Sequence, residues 1–138
     1  MAYTSKTHIT VRYAETDMMG IVHHSRYYPW FEVARTEFIK KIGYSYSQLE
    51  EMGLLLPLTE THCKYMYGLR YEDEVEITCR IEKLGVARVE FVYEVFKCPE
   101  MKKMSEGRTI HGMVDKDLRP INAKKTFPEI WEKLNELT

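Results

Sequence analysis

The chain has 138 residues, enough for one domain with a sizeable core. Hydrophobic residues make up 44% and charged residues 30%, which excludes an intrinsically disordered chain. Lys plus Arg total 20 against 21 Asp plus Glu, a net charge of −1. That balance argues against a nucleic-acid binder but leaves room for a local basic patch that holds a phosphorylated ligand.

The first predicted element is a half-buried strand over Lys6 to Tyr13, with Ile9, Val11 and Tyr13 on one face and His8, Thr10 and Arg12 on the other. Residues 14 to 24, AETDMMGIVHH, break the alternation, and Gly20 gives the backbone freedom to turn there. Ser25 is a candidate cap for a long helix, with Pro29 tolerated in its first turn. Tyr27, Trp30, Phe31, Ala34, Phe38 and Ile42 form its apolar stripe, while Glu32, Arg35, Glu37, Lys40 and Lys41 lie mostly off it. Gly43 stands where a C-cap glycine belongs. Ser47 to Met52 adds a short helical turn.

The remainder reads mainly as strands. Leu54 to Tyr67 is extended, and Pro57 argues for an edge or a bend near its start. Glu74 to Leu84 and Arg88 to Phe96 alternate around a turn at Gly85, and Met104 to Asp115 makes a fifth strand. Gly107 and Gly112 mark bulges or close backbone approach within it. Thr126 to Leu137 closes the chain as a short helix, with Thr126 and Glu129 fitting a capping box. The short links between the later strands predict an antiparallel sheet, and a sheet wrapped round the long helix is the simplest way to bury its apolar face. Periodicity thus predicts one α+β domain over residues 1–138, with free sheet edges near Pro57 and in the fifth-strand region.

Cys63, Cys79 and Cys98 are odd in number and far apart, which suits free thiols in a reducing cytoplasm. A cytoplasmic location is the expectation, since no signal-peptide pattern opens the chain. No run approaches the roughly 18 apolar residues of a membrane span. His23 and His24 are adjacent and point apart on most backbones, and His8, His62 and His111 have no ligand-like spacing to them, so no metal site is expected. No Ser or Cys has the Gly-x-Ser-x-Gly context of a nucleophile elbow.

Tyr13 to Arg35 reads YAETDMMGIVHHSRYYPWFEVAR. This segment closely resembles the signature of the 4-hydroxybenzoyl-CoA thioesterase branch of the hotdog superfamily. Tyr13, Glu15, Asp17, Gly20, Ile21, Val22, His24, Tyr27, Phe31, Glu32, Ala34 and Arg35 fall in register with it. His23 stands where bacterial short-chain members usually carry Tyr. The likeness extends weakly through YMYGLRYEDEVEI and DKDLRPIN. It implies a five-stranded antiparallel sheet wrapped around one long helix, and an acyl-CoA thioesterase with no metal or organic cofactor. It also implies edge-paired homodimers, often paired again into homotetramers, with active sites at the dimer interface. The substrate class is an acyl-CoA or acyl-carrier-protein thioester.

In that frame Asp17 is the base or the nucleophile, where an isolated loop Asp would simply be solvated. Backbone N–H groups from His24 to Arg26, at the positive end of the helix, are candidates to polarise the carbonyl, with Gly20 and Ser25 shaping the approach. His24 either bonds substrate or orients Asp17, or it satisfies a nearby backbone group. Tyr13 is core or substrate contact. Tyr27 is core whose edge lines the acyl channel. Glu15 is solvated or paired with a base, and Glu32 and Arg35 form a helical ion pair. Arg70, Lys83 and Arg88 flank turns as candidates for the CoA phosphates, against the plainer reading of solvated charges. A hotdog hydratase or dehydratase and a non-catalytic acyl-thioester binding protein are the competing readings.

Overall fold

The computed structural model describes residues 2–138. Its strands are β1 (Ser5–Thr10), β2 (Leu58–Tyr65), β3 (Glu74–Leu84), β4 (Arg88–Lys97) and β5 (Lys102–Gly112). The helices are α1 (Tyr27–Ile39), α2 (Tyr46–Met52), α3 (Ala123–Thr126) and α4 (Pro128–Glu136). All five strands join one antiparallel sheet in the order β1-β3-β4-β5-β2. The fifth strand therefore lies inside the sheet, and the free edges belong to β1 and β2. Among the described residues, no helix is long and apolar enough to cross a membrane.

Helix α1 buries the stripe that its spacing predicts: Tyr27, Trp30, Phe31, Ala34 and Phe38 are all buried, with Ile42 just beyond its end. They pack on the inner face of the sheet. Phe38 meets Phe91 edge-on at 5.7 Å, and Phe31 stacks on Tyr93 at 4.5 Å and 16°. Each such fully buried ring contributes roughly 1.5–3 kcal/mol of transfer free energy. A turn at Lys40–Ile42 ends the helix on Gly43, whose φ of +90° is the left-handed conformation that favours glycine.

Several expectations need correction. The opening turn His24–Arg26 is capped by His23, whose ring accepts from Ser25 N–H at 3.3 Å; Ser25 is inside the turn. No capping box joins Thr126 and Glu129. Asn122 caps α3, and α4 begins at Pro128 after an uncapped Phe127. β1 ends at Thr10, because Val11 turns to exchange backbone bonds with Asp73 and Glu72. Tyr13 consequently leaves the apolar face and is 77% exposed, its ring edge-on to Tyr71.

Arg35 also departs from its expected place. It is buried on α1 and donates to the Tyr46 hydroxyl at 3.0 Å and the Tyr93 hydroxyl at 3.1 Å, rather than pairing with Glu32. Tyr93 and Thr109 hydroxyls lie 2.7 Å apart, and Thr109 lies 2.9 Å from His111 Nε2. His111 Nδ1 meets the Leu56 carbonyl at 2.9 Å. A carbonyl only accepts, so Nδ1 carries the proton and Nε2 accepts from Thr109. Every bond in the chain then has one direction, from Arg35 through Tyr93 and Thr109 to His111 and Leu56.

Candidate functional site

The segment between β1 and α1 is held at three levels. First, a single turn over Tyr13–Glu15 follows β1 and buries Glu15, 3% exposed. The Glu15 carboxylate accepts from Arg12 N–H at 2.8 Å, from the Trp30 indole at 2.8 Å and from the Arg12 guanidinium at 3.5 Å. Burial pushes its pKa up, but these donors outweigh burial and hold it below the ordinary carboxylate value. Glu15 is thus paired but not solvated.

Second, Thr16 and Val22 bridge across a tight loop. Inside it, Asp17 N–H donates to Ile21 at 2.9 Å and Gly20 N–H donates to the Asp17 carbonyl at 2.9 Å. Gly20 has φ of +79°, so the turn needs a residue that tolerates the left-handed region. The half-buried Asp17 carboxylate accepts Met19 N–H at 2.9 Å, its one polar partner among the described residues.

Third, the loop is pinned to its neighbours. Val22 N–H donates to Leu69 at 2.8 Å, and His23 N–H donates to the Glu15 carbonyl at 2.8 Å. In the opening helical turn, Ser25 N–H is taken by the His23 ring, Arg26 N–H by the His23 carbonyl and Tyr27 N–H by the His24 carbonyl. That leaves His24 N–H as the turn's donor without a partner among the described residues.

These features border one cleft of about 250 Å³, lined by Asp17, Ile21, His24, Tyr27, Tyr65 and Tyr67 among others. Asp17 and His24 share it without a hydrogen bond to each other. The His24 ring lies against the His23 ring at 4.1 Å, and its carbonyl accepts the Tyr65 hydroxyl at 3.3 Å. Tyr27 meets Tyr65 edge-on at 5.1 Å, and burial pushes the Tyr27 phenol up to about 12. Tyr65 escapes sequence reasoning, because it alternates on a strand like any other residue and only the fold brings it to the helix start. A larger concavity of about 1130 Å³ covers the outer face of the sheet. Its charges, such as Lys103 with Glu94 and Glu106, neutralise one another, as on a solvated face.

Of the remaining candidates, Tyr13, Ser25 and Arg70 lie around the Asp17 loop and helix start, and Lys83 and Arg88 lie far from them. Ser25 is exposed, its hydroxyl 2.8 Å from His23 Nδ1. Tyr13 lies outside this cleft but lines an adjoining concavity of about 620 Å³ together with Asp17, Gly20 and Tyr71. The exposed Arg70 guanidinium sits 3.5 Å from the position a Cβ on Gly20 would take, beside the Asp17 loop. Lys83 and Arg88 occupy the opposite end of the sheet. Thr10 pairs with Glu74 at the start of β3, and Lys83 lies roughly 30 Å farther along at ordinary strand rise. No cluster of metal-ligating side chains forms among the described residues.

A family model described as the thioesterase-like superfamily matches residues 11–134. From Bacillus subtilis, a protein named "Putative acyl-CoA thioesterase YneP" is 36% identical over 128 residues, covering 92% of each chain. An Aquifex aeolicus protein named "Putative esterase" is 40% identical over 75% of this chain and 80% of its own. Among solved structures, a DHNA-CoA thioesterase from Staphylococcus aureus superposes with a TM-score of 0.91 at 33% identity, covering 97% of this chain and 90% of that one.

Proposed function

The chain belongs to the thioesterase-like superfamily, and from that premise we propose that it hydrolyses acyl-CoA thioesters with Asp17 as the group that drives the reaction. The observation that carries this reading is the cleft that Asp17 and His24 both line, with the half-buried Asp17 and a His24 N–H that has no partner among the described residues at the two ends of one pinned loop.

The thioester carbonyl accepts a hydrogen bond from His24 N–H, at the positive end of α1. Negative charge develops on that oxygen during attack, and a fixed donor there is worth about 3 kcal/mol. Asp17 attacks the carbonyl carbon or takes a proton from the attacking water, and the CoA thiolate leaves. The His24 side chain adds a polar contact beside the acyl group. Tyr27 and Tyr65 wall the acyl end. The Arg70 guanidinium, next to Gly20, is the basic group of this subunit best placed to meet a CoA phosphate.

The site also favours an oligomer. β2 is an eight-residue edge strand with an almost fully exposed face, and such an edge is a template for pairing with another chain. A second copy joined there would lie beside Tyr65 and hence beside the cleft. A homodimer, or a pair of dimers, is the working form in this reading.

Release of free thiol from a panel of short aliphatic and aromatic acyl-CoAs and acyl-carrier-protein thioesters tests the assignment. Hydrolysis of at least one of them, producing free acid and thiol together, is expected. Hydration of an enoyl thioester with the thioester bond intact, or binding without turnover across the panel, would overturn it.

A further inference from the structure

The proposed chemistry uses Asp17 and the start of α1, yet the most heavily bonded carboxylate of the segment is Glu15. It does not line the cleft. Burying a carboxylate is costly unless its oxygens find donors, and an apolar side chain would fill the same space without that cost. Glu15 meets the condition with donors from two separate places. Arg12 N–H, on the chain leaving β1, binds Oε1 at 2.8 Å, and the Trp30 indole, on the body of α1, binds Oε2 at 2.8 Å. Its backbone carbonyl holds a third, His23 N–H at 2.8 Å, at the start of the helical turn.

One residue therefore ties together the strand exit, the helix body and the helix start. Asp17 is two positions beyond it, and His24 immediately follows His23. We propose that Glu15 is a positioning residue: by joining Arg12, Trp30 and His23 it sets the Asp17 carboxylate relative to the His24 N–H. The inference rests on the reading of Asp17 given above. Displacements on the order of 1 Å in such a pair are enough to cost about 100-fold in rate, so a rigid link between its two members has kinetic value.

The carboxylate is suited to this and its amide is not. Both oxygens of Glu15 accept. A Gln there presents an NH2 group to either Arg12 N–H or the Trp30 indole, opposing donor to donor. Glu15→Gln keeps the volume and breaks one arm of the link. Trp30→Phe removes only the indole donor, keeps an aromatic ring in the core and leaves Glu15 untouched.

The experiment measures kcat with the best acyl-CoA substrate, and Kd for a non-hydrolysable thioether analogue. It uses the full chain at a temperature where circular dichroism shows each variant folded, with Asp17→Asn alongside. Glu15→Gln is expected to lower kcat by at least about 10-fold with Kd changed by less than about threefold, because placement acts on the transition state and not on ground-state binding. Trp30→Phe should shift kcat in the same direction, and the double variant should fall no lower than Glu15→Gln alone, since both cut one link. A residue that only stabilises the fold would lower the melting temperature and leave kcat of the folded enzyme alone.

Folded Glu15→Gln and Trp30→Phe variants that keep kcat within about twofold, while Asp17→Asn loses turnover, would overturn this inference and leave the Asp17 reading standing. Should Glu15→Gln fail to fold, Trp30→Phe decides by itself on the same criterion. Normal turnover in Asp17→Asn would overturn both.

Discussion

Phe31 occupies the space that any side chain at Gly107 would need: a Cβ added there would overlap the Phe31 ring. Phe31 cannot withdraw easily, because its ring is buried and also stacks on Tyr93. Gly107→Ala is expected to destabilise the protein by about 1–3 kcal/mol, the usual cost of overpacking a core. Urea unfolding checks it, and Phe31→Leu in the same background should recover part of the loss. Unchanged stability in Gly107→Ala would show that the ring moves freely.

Asp17→Asn keeps the shape of the loop and removes the charge on which the proposed role of Asp17, as base or as nucleophile, depends. Turnover should fall at least about 100-fold, the lower end of general-base contributions, with analogue affinity changed far less. Asp17→Glu should also be poor, because an added methylene moves the carboxylate by about an ångström in a site that depends on placement. Steady-state kinetics with a parallel binding assay reads both outcomes. Near-normal turnover in folded Asp17→Asn would shift attention to His24.

Gly20→Val puts a β-branched residue at φ +79°, beside the Arg70 guanidinium. The left-handed backbone alone costs roughly 1–2 kcal/mol. The loop that suffers is the one holding Asp17, so the loss in transition-state stabilisation should exceed the loss in folding stability. Comparing kcat/KM with denaturation midpoints tests this, and equal turnover in the folded variant would show that the loop has no need of glycine.

His111 gives the fold an acid-sensitive point. Burial lowers its pKa from 6.5 to about 4, so the folded state binds this proton less readily than the unfolded state. Stability is fully present above pH 6.5 and declines as pH falls from there through 4, by about 3 kcal/mol in all. Protonation would place a donor on Nε2 and reverse the Thr109 hydroxyl, so the Tyr93 oxygen would accept from both Arg35 and Thr109 and its own O–H would lose its acceptor. His111→Gln should flatten this part of the pH–stability curve measured by denaturation. A curve as steep without His111 as with it would assign the acid sensitivity to other groups.

The free edge of β2 makes assembly measurable. Light scattering at micromolar concentration should give at least a dimer. A monomer with full activity under those conditions would remove the second copy from the site.

The sequence by itself determined what depends on spacing within a few residues. The buried stripe of α1 follows from its helical period, and the strand periods place β3 and β4 almost to the residue. Gly20 and Gly43 mark turns that need positive φ, and the run from Tyr13 to Arg35 carries the family signature. The tertiary structure decided whatever depends on partners far along the chain. Val11 ends β1 because Asp73 and Glu72 capture its backbone, and that turns Tyr13 out to solvent. Arg35 is buried because Tyr46 and Tyr93 supply acceptors from two other elements, which helical period cannot reveal. The sheet order makes β2 an edge, puts β5 inside, brings Tyr65 to the start of α1 and carries Lys83 and Arg88 to the far end from Asp17. Local pattern fixes which face of an element is apolar, but which elements meet is settled only when all those faces are buried at once.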